Sequence, residues 1–202
     1  MSSGAALRVL AAGAAVLVAG CFGSSAAPDY YALRPQAGAA AGSPVASRPD
    51  LGLVVGPIEL PRYLDRDEIV TRDAAYAIVP WDEHRWGGSL RNDVLRVLGD
   101  DLGTLLGTTR VAVYPVEPLF PVSYRVLLDV LEFEGIAGGS VTLRVRWTVT
   151  DGTGMQALAI EQSRVEQPIV ATTFGAIVAA ESAALGTVTG QIATKIAALA
   201  AR

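Results

Sequence analysis

The sequence predicts an α+β fold: a mostly antiparallel sheet with two amphipathic helices packed on one face, after a flexible N-terminal tether. Three observations predict it. Val141, Leu143, Val145, Trp147 and Val149 alternate strictly with Thr142, Arg144, Arg146 and Thr148, the period of a strand with one buried face. Two other segments, Trp86 to Leu106 and Ile177 to Leu199, repeat apolar residues every three or four positions, which gathers them into one stripe on a helix. Residues 22–50 are rich in Ala, Gly, Ser and Pro, and Gln36–Asp50 has no apolar period, so that stretch reads as linker.

Taken in order, Asp29-Tyr30-Tyr31-Ala32-Leu33 interrupts the linker as a short strand or docking segment. The globular part begins near Leu51, with a first strand ended by Gly56-Pro57. Glu68–Arg72 and the alternating Ala74, Tyr76 and Ile78 form two strands joined tightly at Asp73. Trp81–Trp86 leads into the first helix, with Asp82 or Glu83 placed to cap or charge its start. The helix stripe is Trp86, Leu90, Val94, Val97, Leu98, Leu102, Leu105 and Leu106, and Gly107 ends it. A link punctuated by Pro115, Pro118 and Pro121 separates a short strand, Arg110–Tyr114, from a long one, Ser123–Glu134. Gly135 to Gly139 turns into the alternating strand, and Asp151-Gly152-Thr153-Gly154 turns into a last one, Met155–Glu166, stopped by Pro168. Thr172 or Thr173 caps the final helix, whose stripe is Ile177, Val178, Leu185, Val188, Ile192, Ile196 and Leu199.

Composition narrows the function. Sixteen basic against twenty acidic side chains argue against a nucleic-acid partner, which requires a basic face to displace counterions. One His and one Cys leave little for a protein-only metal site and exclude an internal disulfide framework. His84 stands ahead of the helix without a nucleophile motif around it and reads as structural. Glu132 and Glu134 share one face of a strand, and Arg144 and Arg146 across the turn are their candidate partners. No phosphate loop is present, because the Gly-rich spots lack a following Lys-Ser/Thr. No catalytic residue, cofactor site or metal site is assigned.

The N-terminus carries the strongest signal. Arg8 is followed by an apolar run, Val9 to Val18, too short for the ~20 residues of a bilayer span but right for a secretory signal. It ends in Leu17-Val18-Ala19-Gly20-Cys21, which resembles the lipobox of bacterial lipoproteins. The small Ala19 and Gly20 suit a narrow peptidase pocket, and the Cys21 thiolate is the nucleophile for acylation. The expected organisation is signal peptide 1–20, lipidated tether 21–50 and folded domain 51–202. Phe22, where Asp is the inner-membrane retention signal, points to the outer membrane and a periplasm-facing domain.

Leu60-Pro61-Arg62-Tyr63-Leu64-Asp65-Arg66-Asp67-Glu68-Ile69-Val70-Thr71-Arg72 resembles the signature of the ABC-type transport auxiliary lipoproteins. These are the PqiC-like partners of MCE (mammalian cell entry) lipid transporters. Asp67 and Glu68 stand where that family carries Pro and Gln. Arg85-Trp86 with the following helix, and Tyr30-Tyr31-Ala32-Leu33 after the Cys, are similar to two further family elements. The resemblance implies a non-enzymatic auxiliary subunit, anchored on the periplasmic face of the outer membrane. Its partners would be an MCE-domain protein and the associated ABC transporter subunits, with homo-oligomers also compatible. Tyr63, Leu64, Asp65 and Arg66 then become a candidate partner contact, or else Tyr63 and Leu64 pack beneath the sheet while Asp65 and Arg66 pair. The alternative function is a lipoprotein that regulates a cell-wall synthase or assists outer-membrane assembly.

Overall fold

The computed structural model describes residues 27–37, 45, 47–73, 76–136 and 138–202. They form, in order, β1 (Asp29–Tyr31), β2 (Leu53–Glu59), β3 (Glu68–Arg72), β4 (Ile78–Trp86), α1 (Leu90–Leu106), β5 (Val111–Val113), β6 (Tyr124–Gly135), β7 (Ser140–Asp151), β8 (Ala157–Pro168) and α2 (Phe174–Ala200). Short turns make β6, β7 and β8 an antiparallel meander and β3 and β4 an antiparallel pair. The other pairings are parallel: β1 with β4, β2 with β5, β2 with β6, and β3 with β6. The sheet is therefore mixed, which corrects the expectation of a mostly antiparallel one. Hairpin turns join only antiparallel neighbours, whereas α1 carries the chain back to its starting end before β5, and such a crossover leaves strands parallel.

The two helices follow the predicted stripes. α1 packs on β2 and β5, α2 packs on β6, β7 and β8, and the helices touch each other over one continuous core. Val141, Leu143, Val145, Trp147 and Val149 are all buried, as their alternation requires. Trp147 lies on the α2 side: its indole N–H donates to Ser163 Oγ at 2.9 Å, and that hydroxyl is bonded in turn to Gln191 of α2.

In β6 the parity changes. Val126, Leu128 and Val130 point inward, the register slips between Val130 and Glu132, and Phe133 is the next core residue. One extra residue flips every side chain beyond it. Glu132 and Glu134 thus share the face away from the core, opposite Arg144 and Thr142.

Three boundaries differ from expectation. Trp81–Trp86 does not approach the helix as a capping segment, because it lies within β4. α1 begins only at Leu90, and Asp93 rather than Asp82 or Glu83 charges its first turn. Tyr76 is in a turn and not a strand: Asp73 and Ala77 close it by two hydrogen bonds, at 2.8 and 3.0 Å. The first strand runs through Gly56-Pro57 to Glu59 by shifting register between Val55 and Ile58. Gly56, at φ +103°, lies so close to Tyr114 that a Cβ there would come within 2.8 Å of the Tyr114 Cβ. Thr173 caps α2, its hydroxyl accepting the Ala176 N–H.

The segment before the domain is held by both helices. Leu33 is buried, its N–H donates to Asp93, and its carbonyl accepts from Arg96. The Arg34 N–H donates to Ser182 of α2. Further on, the buried carboxylate of Asp101 accepts from both Gln36 and Ala37, at 2.7 to 3.0 Å. Burial pushes the Asp101 carboxyl above its ordinary range, against these N–H donors, which pull it down. Val45 and Arg48 donate their N–H groups to the last carbonyls of α1. Gln36, Ala37, Val45 and Arg48, read as linker, are therefore anchored to α1. Cys21 and the apolar run before it lie outside the described residues.

Candidate partner-docking turn

Along one edge of β6, β2 is paired as far as Asp129, and β3 takes over only at Gly135. The interval between is a wedge in the sheet, with strand edge left over. The Phe133 N–H donates to the side chain of Glu134 at 2.9 Å, so the carboxylate replaces the missing neighbour. Two further donors enter the wedge. The Tyr63 hydroxyl donates to Glu134 Oε2 at 2.9 Å, and the Arg72 guanidinium forms an ion pair with Glu134 through Nη2 and a 2.9 Å bond through Nε. Glu134 is 2% exposed, and all its donors converge on one carboxylate. Burial and then the neighbouring Glu134 charge push the Tyr63 hydroxyl far up, while the Glu134 hydrogen bond raises Arg72.

The turn between β2 and β3 exists to deliver that tyrosine. Leu64 N–H closes on the Pro61 carbonyl at 2.9 Å, and Leu64 itself is buried in the core. Arg62, Asp65, Arg66 and Asp67 remain exposed on its outer side. Asp65 is bridged to Arg91 of α1 at 3.0 Å, and the same Arg91 reaches the Ile58 carbonyl. Arg66 pairs with Glu68 at 2.7 Å, and this bond lowers the Glu68 carboxyl. Of the four residues singled out in the sequence, Tyr63 and Leu64 face inward and Asp65 and Arg66 face outward. The turn presents charges of alternating sign, Arg62, Asp65, Arg66 and Asp67, from a fixed base.

The remaining candidates fall elsewhere. His84 sits in β4, stacked on Phe174 with ring centroids 3.7 Å apart, and shares a hydrogen bond with Tyr31 at 3.1 Å. Glu132 meets Arg144 at 3.4 Å, and Asp129, not Glu134, meets Arg146 at 3.2 Å. Among the described residues no three His, Cys, Asp or Glu side chains converge to hold a metal ion. Sequence reasoning missed Arg72 as the partner of Glu134. It also missed Glu181, buried on α2, although its spacing of four from both Ile177 and Leu185 places it on the apolar stripe.

The fold is similar to two solved structures. One, an uncharacterized protein, is 19% identical with a TM-score of 0.68, covering 85% of this chain and 99% of the other. The second, a DUF330-family protein from Xanthomonas campestris, is 17% identical with a TM-score of 0.66, covering 83% and 94%. No curated protein sequence matches this one. The family model for the ABC-type transport auxiliary lipoprotein component matches residues 31–193, from the tyrosine pair of β1 to the far half of α2. By that match the chain belongs to the family of ABC-type transport auxiliary lipoprotein components.

Proposed function

We propose that this protein is a non-enzymatic, periplasm-facing lipoprotein of the outer membrane, anchored through Cys21, which serves an MCE-type ABC system for lipid transport between membranes. The observation that carries the reading is the family match over residues 31–193. The lipobox-like Leu17–Cys21 segment and the absence of Asp after Cys21 support the anchor and its membrane. In this reading ATP hydrolysis and substrate passage belong to other subunits, and this chain contributes a docking surface. The turn at Arg62–Asp67 is that surface: its base is pinned by Tyr63 on Glu134, and its exposed charges, Asp65 and Arg66 held in surface ion pairs, face outward to meet an MCE-domain partner.

The test is co-purification with the MCE subunit. Arg62→Glu combined with Arg66→Glu reverses two exposed charges and gives up the surface pair of Arg66 with Glu68, worth about 0–1 kcal/mol. The double variant should melt like the wild type and bind at least about tenfold more weakly, since each 1.4 kcal/mol is a factor of ten. Tyr63→Phe is the complementary control: it removes the hydroxyl from Glu134 and should lower stability while leaving binding at the surface intact. A folded double variant with full affinity would show that the turn is not the docking surface. Recovery of a cell-wall synthase or an assembly factor in place of an MCE protein would favour the alternative function.

A further inference from the structure

The strand topology brings three connections to one end of the sheet. The end of β3 pairs with the end of β6 at Thr71 and Gly135, so Asp73, Tyr76 and Ala77 after β3 lie near Ile136, Gly138 and Gly139 after β6. Ser140 pairs with Pro168, and the Ile169 N–H donates to the Gly139 carbonyl, which places the β8–α2 connection beside them. Trp81 packs edge-on against Phe174, the first residue of α2, with centroids 5.2 Å apart. β1 runs parallel to β4 beside its last residues, with Asp29 opposite His84, so the chain enters β1 from the direction of this end.

The loops here display apolar side chains. Tyr76 is 84% exposed, Val170 88% and Ile136 41%. Tyr76 is held outward at φ +70°, a conformation unfavourable for a bulky residue. Residues 135–140 and 167–177 carry no charged side chain, whereas Asp73, in the connection that holds Tyr76, is an exposed charge. The first charges down β4 beyond Ile78 are Asp82 and Glu83, about 13 Å from it at ~3.3 Å per residue. Cys21 precedes Asp29 by eight residues, a reach of at most about 28 Å.

We infer that this end, with Tyr76, Ile136 and Val170 at its tips, is a membrane-contact surface that rests in the interfacial layer of the bilayer holding Cys21. The occupant is a lipid surface. The chain enters β1 from the direction of this end, its three tips are one aromatic and two aliphatic side chains, and tyrosine suits a layer that is apolar on one side and wet on the other. The inference rests on the proposed anchoring at Cys21 and fixes the orientation of the domain beneath it.

The test separates orientation from acylation. The mature chain from Cys21 is made without acylation and coupled through that residue, the chain's single cysteine, to maleimide-headgroup lipid in phosphatidylcholine vesicles with brominated acyl chains. Two probes are compared with wild type: Val170→Trp at this end, and Met155→Trp in the turn at the opposite end of β7 and β8, where Met155 is 89% exposed. Val170→Trp should show emission shifted to shorter wavelength and quenched by bromine, and Met155→Trp should show neither. Adding Tyr76→Ser and Ile136→Ser to the Val170→Trp variant should reduce its quenching, with the melting curve retained because both side chains are exposed. Equal quenching of the two probes, or none for Val170→Trp on tethered, folded protein, would overturn the inference. Palmitate labelling in cells tests the anchor separately, so a failed anchor and a failed contact surface give different results.

Discussion

Glu181 lies on the apolar stripe of α2, with its Oε2 buried and without a hydrogen-bond partner. Burial, and after it the charge of Glu134, pushes its carboxyl well above the usual range. The unfolded chain releases this proton near pH ~4.3, while the folded chain holds it to higher pH. Within that window the folded state binds more protons, so stability falls as pH rises through it. Glu181→Leu removes both the slope and the orphaned oxygen, and should stabilise the protein by about 1–3 kcal/mol at neutral pH. Denaturant unfolding of both proteins at pH 4 and pH 7.5 is the measurement, with a gap expected to widen towards the higher pH. Parallel profiles would show that the Glu181 proton takes no part. Glu134, by contrast, was legible only as one of a carboxylate pair. Its true donors come from the β2–β3 turn and from β3, 71 and 62 residues away along the chain, and no local pattern encodes such a meeting.

Elements were legible where one face meets the core and the other meets water. The alternation of β7 and the two helical stripes are of that kind, and their predicted residues are buried except for Leu199, which is half-buried, while Trp86 is buried from β4 and not from the helix. β4 was not, because Trp81-Asp82-Glu83-His84-Arg85-Trp86 has no alternation of polarity. Its strand state is fixed from outside, by β3 on one edge and β1 on the other. The Val130–Glu132 bulge was likewise hidden, since an inserted residue shows only as a break in parity within a run that is apolar on both sides. The best-defined strand gives the sharpest energetic prediction. Trp147 is 1% exposed and bonded to Ser163, so Trp147→Ala should cost about 3–5 kcal/mol. At about 2–4 °C per kcal/mol for a chain of this size, the thermal midpoint should drop by roughly 10 °C. A shift of a degree or so in calorimetry would show that the indole contributes little to the core.

At the scale of the whole molecule, the parallel pairings that make the sheet mixed were beyond the sequence, because each joins segments separated by a crossover or by the docked N-terminal segment. Those same pairings set the direction in which the chain enters β1, and hence the orientation proposed for the domain on its anchor. Each buried CH₂ of an acyl chain contributes about 0.8 kcal/mol, and one chain alone holds a protein only marginally, so stable anchoring requires more than one. A few exposed side chains, such as Tyr76 and Val170, orient the domain at the interface but are far too small a surface to replace acyl chains. Cys21→Ser should therefore abolish palmitate labelling and move the folded domain into the soluble fraction, even though the apolar end is unchanged. Fractionation of the envelope, with the melting curve as a check on folding, is the measurement. A Cys21→Ser protein that loses palmitate yet stays with the outer membrane would place its retention in a partner or in the apolar end itself. Tyr76→Ser with Val170→Ser in the same background then separates these two: release would assign the retention to the loops, and persistence would assign it to a docked partner.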